Sequence, residues 1–449
     1  MRSAVRRLGV APVALAAMLP VAGIVVTGPP GAAPDAAPVA QGVRPVADAV
    51  ADDESSQDCD QEGGYAVTGL PEALDRYDVS RVWTRATGRG VRVAVVDSGI
   101  NVANPHFVNG GPYGDAYAEG TSFLPASLEQ EYVNVYEPHG WADPSGHGTA
   151  VAGIIGARPA EGSGVVGLAP YATIVPVQVF GAVEDPTEQD PELLPDTGRL
   201  ADGIRWAADA GVQVIAVSMS VAEPDPRLED AVAYAGSRGA LVVASAGSAL
   251  TAPAGDPGGV HYPAGFPGVL GVAPVGSDGR PSEQTFTGSH VDVAAPGQLV
   301  ATAYRGLLDC YLSEEPTPSY AVPYVAATAA LLAEQFPDEG PDLWAHRIMM
   351  SAERPRQGSR DDVLGWGAVS PHDALTLTID ASRPGPPVPG HPPAQTGTDV
   401  VGPAVAGPRS EPWAPARRTG LLLAAGGVGL VAAVALARAL GRGRRDATD

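Results

Sequence analysis

The chain has 449 residues, 45% of them hydrophobic, with 56 glycines, 45 prolines and a formal net charge of −23. That length exceeds one ordinary domain, so one large folded unit with appendages is expected. All 28 basic residues are arginine, set against 51 acidic ones, and so acidic a balance argues against nucleic acid as a partner, because phosphate binding needs clustered counter-charge. The only two cysteines, Cys59 and Cys310, rule out a disulfide framework and a cysteine-based structural zinc site.

The N-terminus carries Arg2, Arg6 and Arg7, then an apolar stretch from Leu8 to about Val26, then small residues. That order predicts a secretory signal over residues 1–33, with the cut site open and an uncleaved anchor as the other reading. Residues 34–69 are polar, small and acidic. They are too few for an independently stable prodomain, so an extension that wraps along the domain is expected. Outside the cytoplasm, Cys59 and Cys310 could form one staple between this extension and a late loop. Two separate thiols are the alternative.

The folded domain is expected over residues 70–378. Within it VRVAVVDSG reads as a strand ending in a turn, GTAVAGIIGA as a small-residue helix and TIVPVQVF as a strand. GRLADGIRWAADAG then reads as a helix, VQVIAVSMS as a strand, RLEDAVAYAGSRG as a helix and ALVVASAG as a strand. Alternating strands and helices predict an α/β fold whose mostly parallel sheet is covered by helices on both faces. Chemistry in such folds gathers at the carboxyl ends of the strands. Two acidic, proline-containing segments, Phe107 to Trp141 and Gly181 to Asp196, read as enlarged loops that gate substrates, dock partners or simply carry solvated surface.

Residues 379–418 are proline-rich and read as an extended stalk. Residues 419–437 form an apolar run at the lower limit for spanning a bilayer. The basic tail 438–449 after it, with Arg438, Arg442, Arg444 and Arg445, favours a cytoplasmic end. The expected location is therefore the cell membrane, with a single C-terminal anchor and an extracytoplasmic domain.

Three segments carry candidate chemistry. Asp97 stands at the carboxyl end of the first strong strand, before a Ser-Gly turn. His147 stands between two glycines that permit close backbone approach. VAVVDSG and HGTAVAG, with GVVGLAPYATIVPVQVF between later elements, resemble the motifs of the subtilisin-like serine proteases in order, from about Val91 to about His372. The resemblance implies a subtilisin-like three-layer domain. It implies Ser319, in TPSYAVPYVAATAALLAEQF, as the nucleophile, His147 as the base and Asp97 as the group that sets the imidazole tautomer.

The same resemblance implies Ser248 and the Ser319 amide as oxyanion donors. It implies Ser218, Met219 and Ser220, with Ala246 and Gly247 opposite, as substrate-binding residues, with Ser220 narrowing the first specificity pocket. Thr317 and Pro318 replace the family's Gly-Thr, and Ser248 replaces its oxyanion asparagine, so slow catalysis is expected. The architecture is similar to that of the mycosins, the anchored subtilases of type VII secretion systems. That likeness implies a protein or peptide substrate, possible secretion-complex components as partners, and attachment to the membrane through the C-terminal helix. No cofactor or metal is expected. The alternative function is a catalytically weak or inactive structural component of such a complex.

Overall fold

Arg92–Asp97 forms strand β1, in which Val93, Ala94, Val95 and Val96 are all buried, the composition of a strand covered on both faces. The computed structural model describes residues 66–391 apart from 129–135, 182–191, 250–257, 307 and 355–357. The expected signal, most of the extension, most of the stalk, the span 419–437 and the tail lie outside these residues. Around β1 are β2 (Thr121–Ser122), β3 (Thr173–Gln178), β4 (Val214–Val217), β5 (Leu241–Ser245), β6 (Val269–Val275) and β7 (Val293–Pro296). They make a seven-stranded sheet of order β2-β3-β1-β4-β5-β6-β7 in which every neighbouring pair is parallel. A separate antiparallel pair joins β8 (Val300–Ala303) to β9 (Asp309–Leu312).

The period-2 alternation of β1 divides its side chains between two cores. Val93 and Val95 pack with Val151 and Ile155 of helix α1 (His147–Gly156) and with Ala326 and Leu331 of α2 (Pro318–Gln335). Ala94 and Val96 pack on the other face with Leu200 and Ile204 of α3 (Thr197–Asp209) and Leu228 and Val232 of α4 (Pro226–Ser237). Both faces of the sheet are thus covered, as the alternating pattern predicts.

The small residues of α1 have a packing reason. A Cβ on Gly153 would stand 2.9 Å from the Ala303 amide nitrogen on β8, so the helix lies against backbone that a larger side chain would displace. Helix α2 begins at Pro318, with Thr317 extended at φ −120° and ψ 129°. That is the conformation a residue before proline prefers, and the first helical position is where proline's missing N–H costs nothing.

Three expectations are corrected or refined. The Phe107–Trp141 segment is not all loop: Thr121 and Ser122 pair with Val177 and Gln178 to make the sheet edge, a strand too short to show a period in sequence. VQVIAVSMS leaves the sheet after Val217, so Ser218, Met219 and Ser220 follow the strand instead of lying in it. Packing also reaches beyond residues 70 and 378. Val67 is buried and its N–H donates to Asp309 Oδ2 at 2.8 Å, while Val388 is buried near the other end. Cys310, on β9, is disulfide-bonded; Cys59 lies outside the described residues. No described helix is long and apolar enough to cross a membrane.

Candidate active site

Asp97 is the last residue of β1, at the carboxyl end of the sheet, and is only 1% exposed. The turn after it brings the Ser98 N–H to Asp97 Oδ1 at 2.8 Å. The same oxygen accepts the Nδ1–H of His147 at 2.6 Å. A ring nitrogen that donates to a carboxylate carries the proton, so Nε2 is left as the basic nitrogen.

His147 opens α1, and the two glycines beside it answer two geometric demands. Gly146 caps the helix in the left-handed region at φ +83°, where glycine carries no steric penalty. A Cβ on Gly148 would overlap the Gly99 carbonyl oxygen and stand 3.3 Å from Asp97 Cβ, so its absence lets the helix approach the turn after β1. The imidazole is 17% exposed. Burial pushes the His147 pKa down, but the charge and hydrogen bond of Asp97, with the nearby charge of Asp143, outweigh it and hold the group above its ordinary 6.5.

Asp143, four residues before His147, was not singled out in the sequence. It is buried, and Oδ2 accepts the Thr149 N–H at 2.8 Å and the Thr149 hydroxyl at 2.6 Å. Its Oδ1 accepts the Gly146 N–H at 2.9 Å and the Ser98 hydroxyl at 2.8 Å. The only available signal was an aspartate at the N-terminal end of a helix, where capping acids are common. Gln178, at the end of β3, steadies the same turn by donating from Nε2 to the Ser98 carbonyl at 3.0 Å.

Ser319 is the second residue of α2 and is 6% exposed. Its amide belongs to the first helical turn, whose N–H groups have no intrahelical partner. Pro323, four residues on, has no N–H to offer the Ser319 carbonyl. The next residue, Tyr320, sets its ring 5.5 Å from the His147 ring, and Phe180 approaches the same imidazole at 6.4 Å. Helix α2 is thereby seated against His147. Among the described residues the Ser319 hydroxyl makes no hydrogen bond; bonds of this type tighten when substrate arrives. The roles of Tyr320 and Phe180 had no sequence signal, because contact with His147 across elements is a tertiary fact.

Of the remaining residues, Ser220 and Gly247 meet at His261. Ser220 Oγ lies 3.2 Å from His261 Nδ1, and the His261 ring packs on Phe286 at 4.5 Å. Gly247 has φ +85°, and a Cβ there would stand 2.7 Å from the His261 ring. Ala246 accepts at its carbonyl from His290 Nε2 at 3.0 Å. Ser218 is buried with its hydroxyl unpartnered, and Met219 packs on the second core. Ser248 is 1% exposed, and its hydroxyl donates to the Gln284 carbonyl at 3.3 Å. A hydroxyl has one hydrogen, so Ser248 must turn from Gln284 before it can donate elsewhere. Among the described residues, no three His, Cys, Asp or Glu side chains are grouped to hold a metal ion.

The model of the Subtilase family matches residues 88–367, more than half of the chain. Mycosin-1 of Mycolicibacterium smegmatis is 32% identical over 350 residues, covering 69% of this chain and 73% of that protein. Subtilisin Savinase of Lederbergia lenta is 32% identical over 269 residues, 60% of this chain and 86% of that one. Among solved structures, the serine protease MycP1, described as an essential component of the type VII (ESX-1) secretion system, aligns with a TM-score of 0.57 at 27% identity. That alignment covers 70% of this chain and 90% of the other.

Proposed function

The chain belongs to the subtilase family and is a mycosin-like serine endopeptidase, and from that premise we propose that it cuts exported proteins at the outer face of the cell membrane, within a type VII secretion apparatus, using Asp97, His147 and Ser319. The observation that carries the catalytic assignment is the 2.6 Å bond from His147 Nδ1–H to a buried Asp97 carboxylate, with the Ser319 helix packed against the same imidazole. Secretion-system membership is supported by the likeness to Mycosin-1 and to MycP1. Anchoring is supported by the apolar run 419–437 and the arginines after it.

In the proposed reaction Ser319 Oγ attacks the substrate carbonyl while His147 Nε2 takes its proton. Asp97 keeps the imidazole in the tautomer with Nδ1 protonated and stabilises the positive ring that forms. The carbonyl oxygen becomes an oxyanion facing the Ser319 amide, one of the unpaired donors of the first helical turn. His147 then returns its proton to the leaving amine, and water repeats the sequence to release the acyl product. Ser218, Met219, Ser220, Ala246 and Gly247 line the substrate cleft in this reading, with Ser220 and Gly247 meeting at His261.

The rate is expected to be low. Ser248 stands where the family's oxyanion asparagine does, and its hydroxyl hydrogen is engaged by Gln284. A missing oxyanion donor costs roughly 100- to 1,000-fold in kcat.

The test is labelling of the detergent-solubilised full chain with a fluorophosphonate probe, beside Ser319→Ala. Labelling that vanishes in the variant supports the protease reading. A folded wild-type protein that never labels would sink it and leave a structural component of the secretion complex as the reading to pursue.

A further inference from the structure

Behind Asp97 lies a second buried carboxylate that the reaction above does not use. Asp143 sits in the turn before α1, and its four hydrogen bonds go to the first turn of the helix that carries His147 and to Ser98. Ser98 is the link between the two acids. Its hydroxyl oxygen accepts the Gly148 N–H at 2.9 Å and lies 2.8 Å from Asp143 Oδ1 and 3.3 Å from Asp97 Oδ1. One hydroxyl hydrogen can serve one of these carboxylates well, and the shorter distance assigns it to Asp143.

We propose that Asp143 is a positioning residue that acts on His147 through Ser98, and that a proton taken up by Asp143 turns the Ser98 hydroxyl from Asp143 onto Asp97. While Asp143 is ionised, it anchors the N-terminal turn of α1 and holds the Ser98 hydrogen. Asp97 Oδ1 then receives only the Ser98 amide and the His147 Nδ1–H. Once Asp143 is protonated, its own O–H donates to Ser98 Oγ, and the Ser98 hydrogen moves to Asp97. The extra donor draws charge from the Asp97 oxygen that holds His147, and the helix loses the anion at its first turn.

The titratable and charged groups facing Asp143 are Asp97 on β1, His147 on α1 and Tyr320 on α2. Tyr304 and Arg305, from the segment after β8, pack on Gly146, and Arg305 Nε donates to the Ser145 carbonyl at 3.4 Å. Burial pushes Asp143 up to about 6, with the neighbouring Asp97 charge adding to it and the bonds from Thr149 and Ser98 opposing it. The protonation step therefore falls within a pH range where the domain can be assayed.

This inference rests on the proposed triad, and its signature is the number of protons that shut the site down. His147 alone gives an acid limb in which the labelling rate falls tenfold per pH unit. With Asp143 acting as well, the fall steepens toward a hundredfold per pH unit below about pH 6.

Fluorophosphonate labelling rates of the full chain would be measured from about pH 5 to 9, for wild type, Asp143→Asn and Ser98→Ala, with tryptophan fluorescence confirming the fold at each pH. The steep limb in wild type, reduced to the single-proton slope in both variants, is the expected result. A single-proton slope in wild type, or a steep limb that survives in both variants, overturns the inference while leaving the triad standing. If Asp143→Asn fails to fold, Ser98→Ala decides alone, because it removes the bond to Gly148 but leaves the Asp143 bonds to Gly146 and Thr149 in place. A folded wild-type protein that never labels overturns both readings.

Discussion

The two halves of the site are built differently. The Asp97–His147 half is held by short hydrogen bonds between buried groups, with Ser98, Asp143 and Thr149 behind it. On the other side, Ser319 makes no side-chain hydrogen bond among the described residues, and Ser248 gives its hydrogen to Gln284. In the proposed mechanism the first half is organised before substrate arrives, whereas Ser248 has to turn from Gln284 to serve as a donor. This difference leaves the base held by its neighbours and puts the expected slowness of the proposed mechanism on the Ser319 and Ser248 side.

The sharpest test removes the proposed nucleophile. Ser319→Ala should lower hydrolysis of a peptide substrate by roughly 10,000-fold or more without changing the melting temperature, since a small buried residue is replaced by a smaller one. Gly148→Ala attacks the organised half instead. Its Cβ would overlap the Gly99 carbonyl oxygen and stand 3.3 Å from Asp97 Cβ, and a loss of about 2–3 kcal/mol is expected in denaturant unfolding, together with slower labelling. Equal stability and rate in that variant would show that the helix has more room than its packing suggests.

Ser248→Asn should raise kcat by about tenfold or more, by supplying an amide donor where the hydroxyl is committed. A neutral result would mean that Ser248 already turns to the oxyanion. The pH dependence comes next. His147 must be neutral to take the Ser319 proton, and its pKa is held above 6.5 by Asp97. Labelling should therefore fall as pH drops through a midpoint above 6.5, and Asp97→Asn should move that midpoint down. Pro318→Gly should have the smallest effect, less than about threefold, because Thr317 is already extended and proline is accommodated at the first helical position.

Much of this was legible in sequence for a local reason. Strands such as Arg92–Asp97 are buried on both faces and so read as continuous β-branched runs, and α1 is nearly all small because it lies on the backbone of β8. His147 sits between two glycines, and Gly99, two residues after Asp97, has φ +98°, so glycine conformation or close approach explains the motif around each. Less legible were the two-residue strand Thr121–Ser122 and the end of β4 at Val217. Pairing there depends on where a neighbouring strand stops, and the residues concerned show no period of their own.

By itself the sequence determined the alternating layers, the order Asp97, His147 and Ser319, and the substitutions at Pro318 and Ser248, because each is written in contiguous residues whose burial or backbone needs are local. Only the tertiary structure decided which groups share a hydrogen. It placed Asp143 behind Ser98, set Tyr320 and Phe180 around the imidazole, and gave the Ser248 hydroxyl to Gln284. A hydroxyl, an acid or an aromatic ring has the same chemistry wherever it lies in the chain. Its partner is chosen by which elements the packed sheet and helices bring within about 3 Å of it.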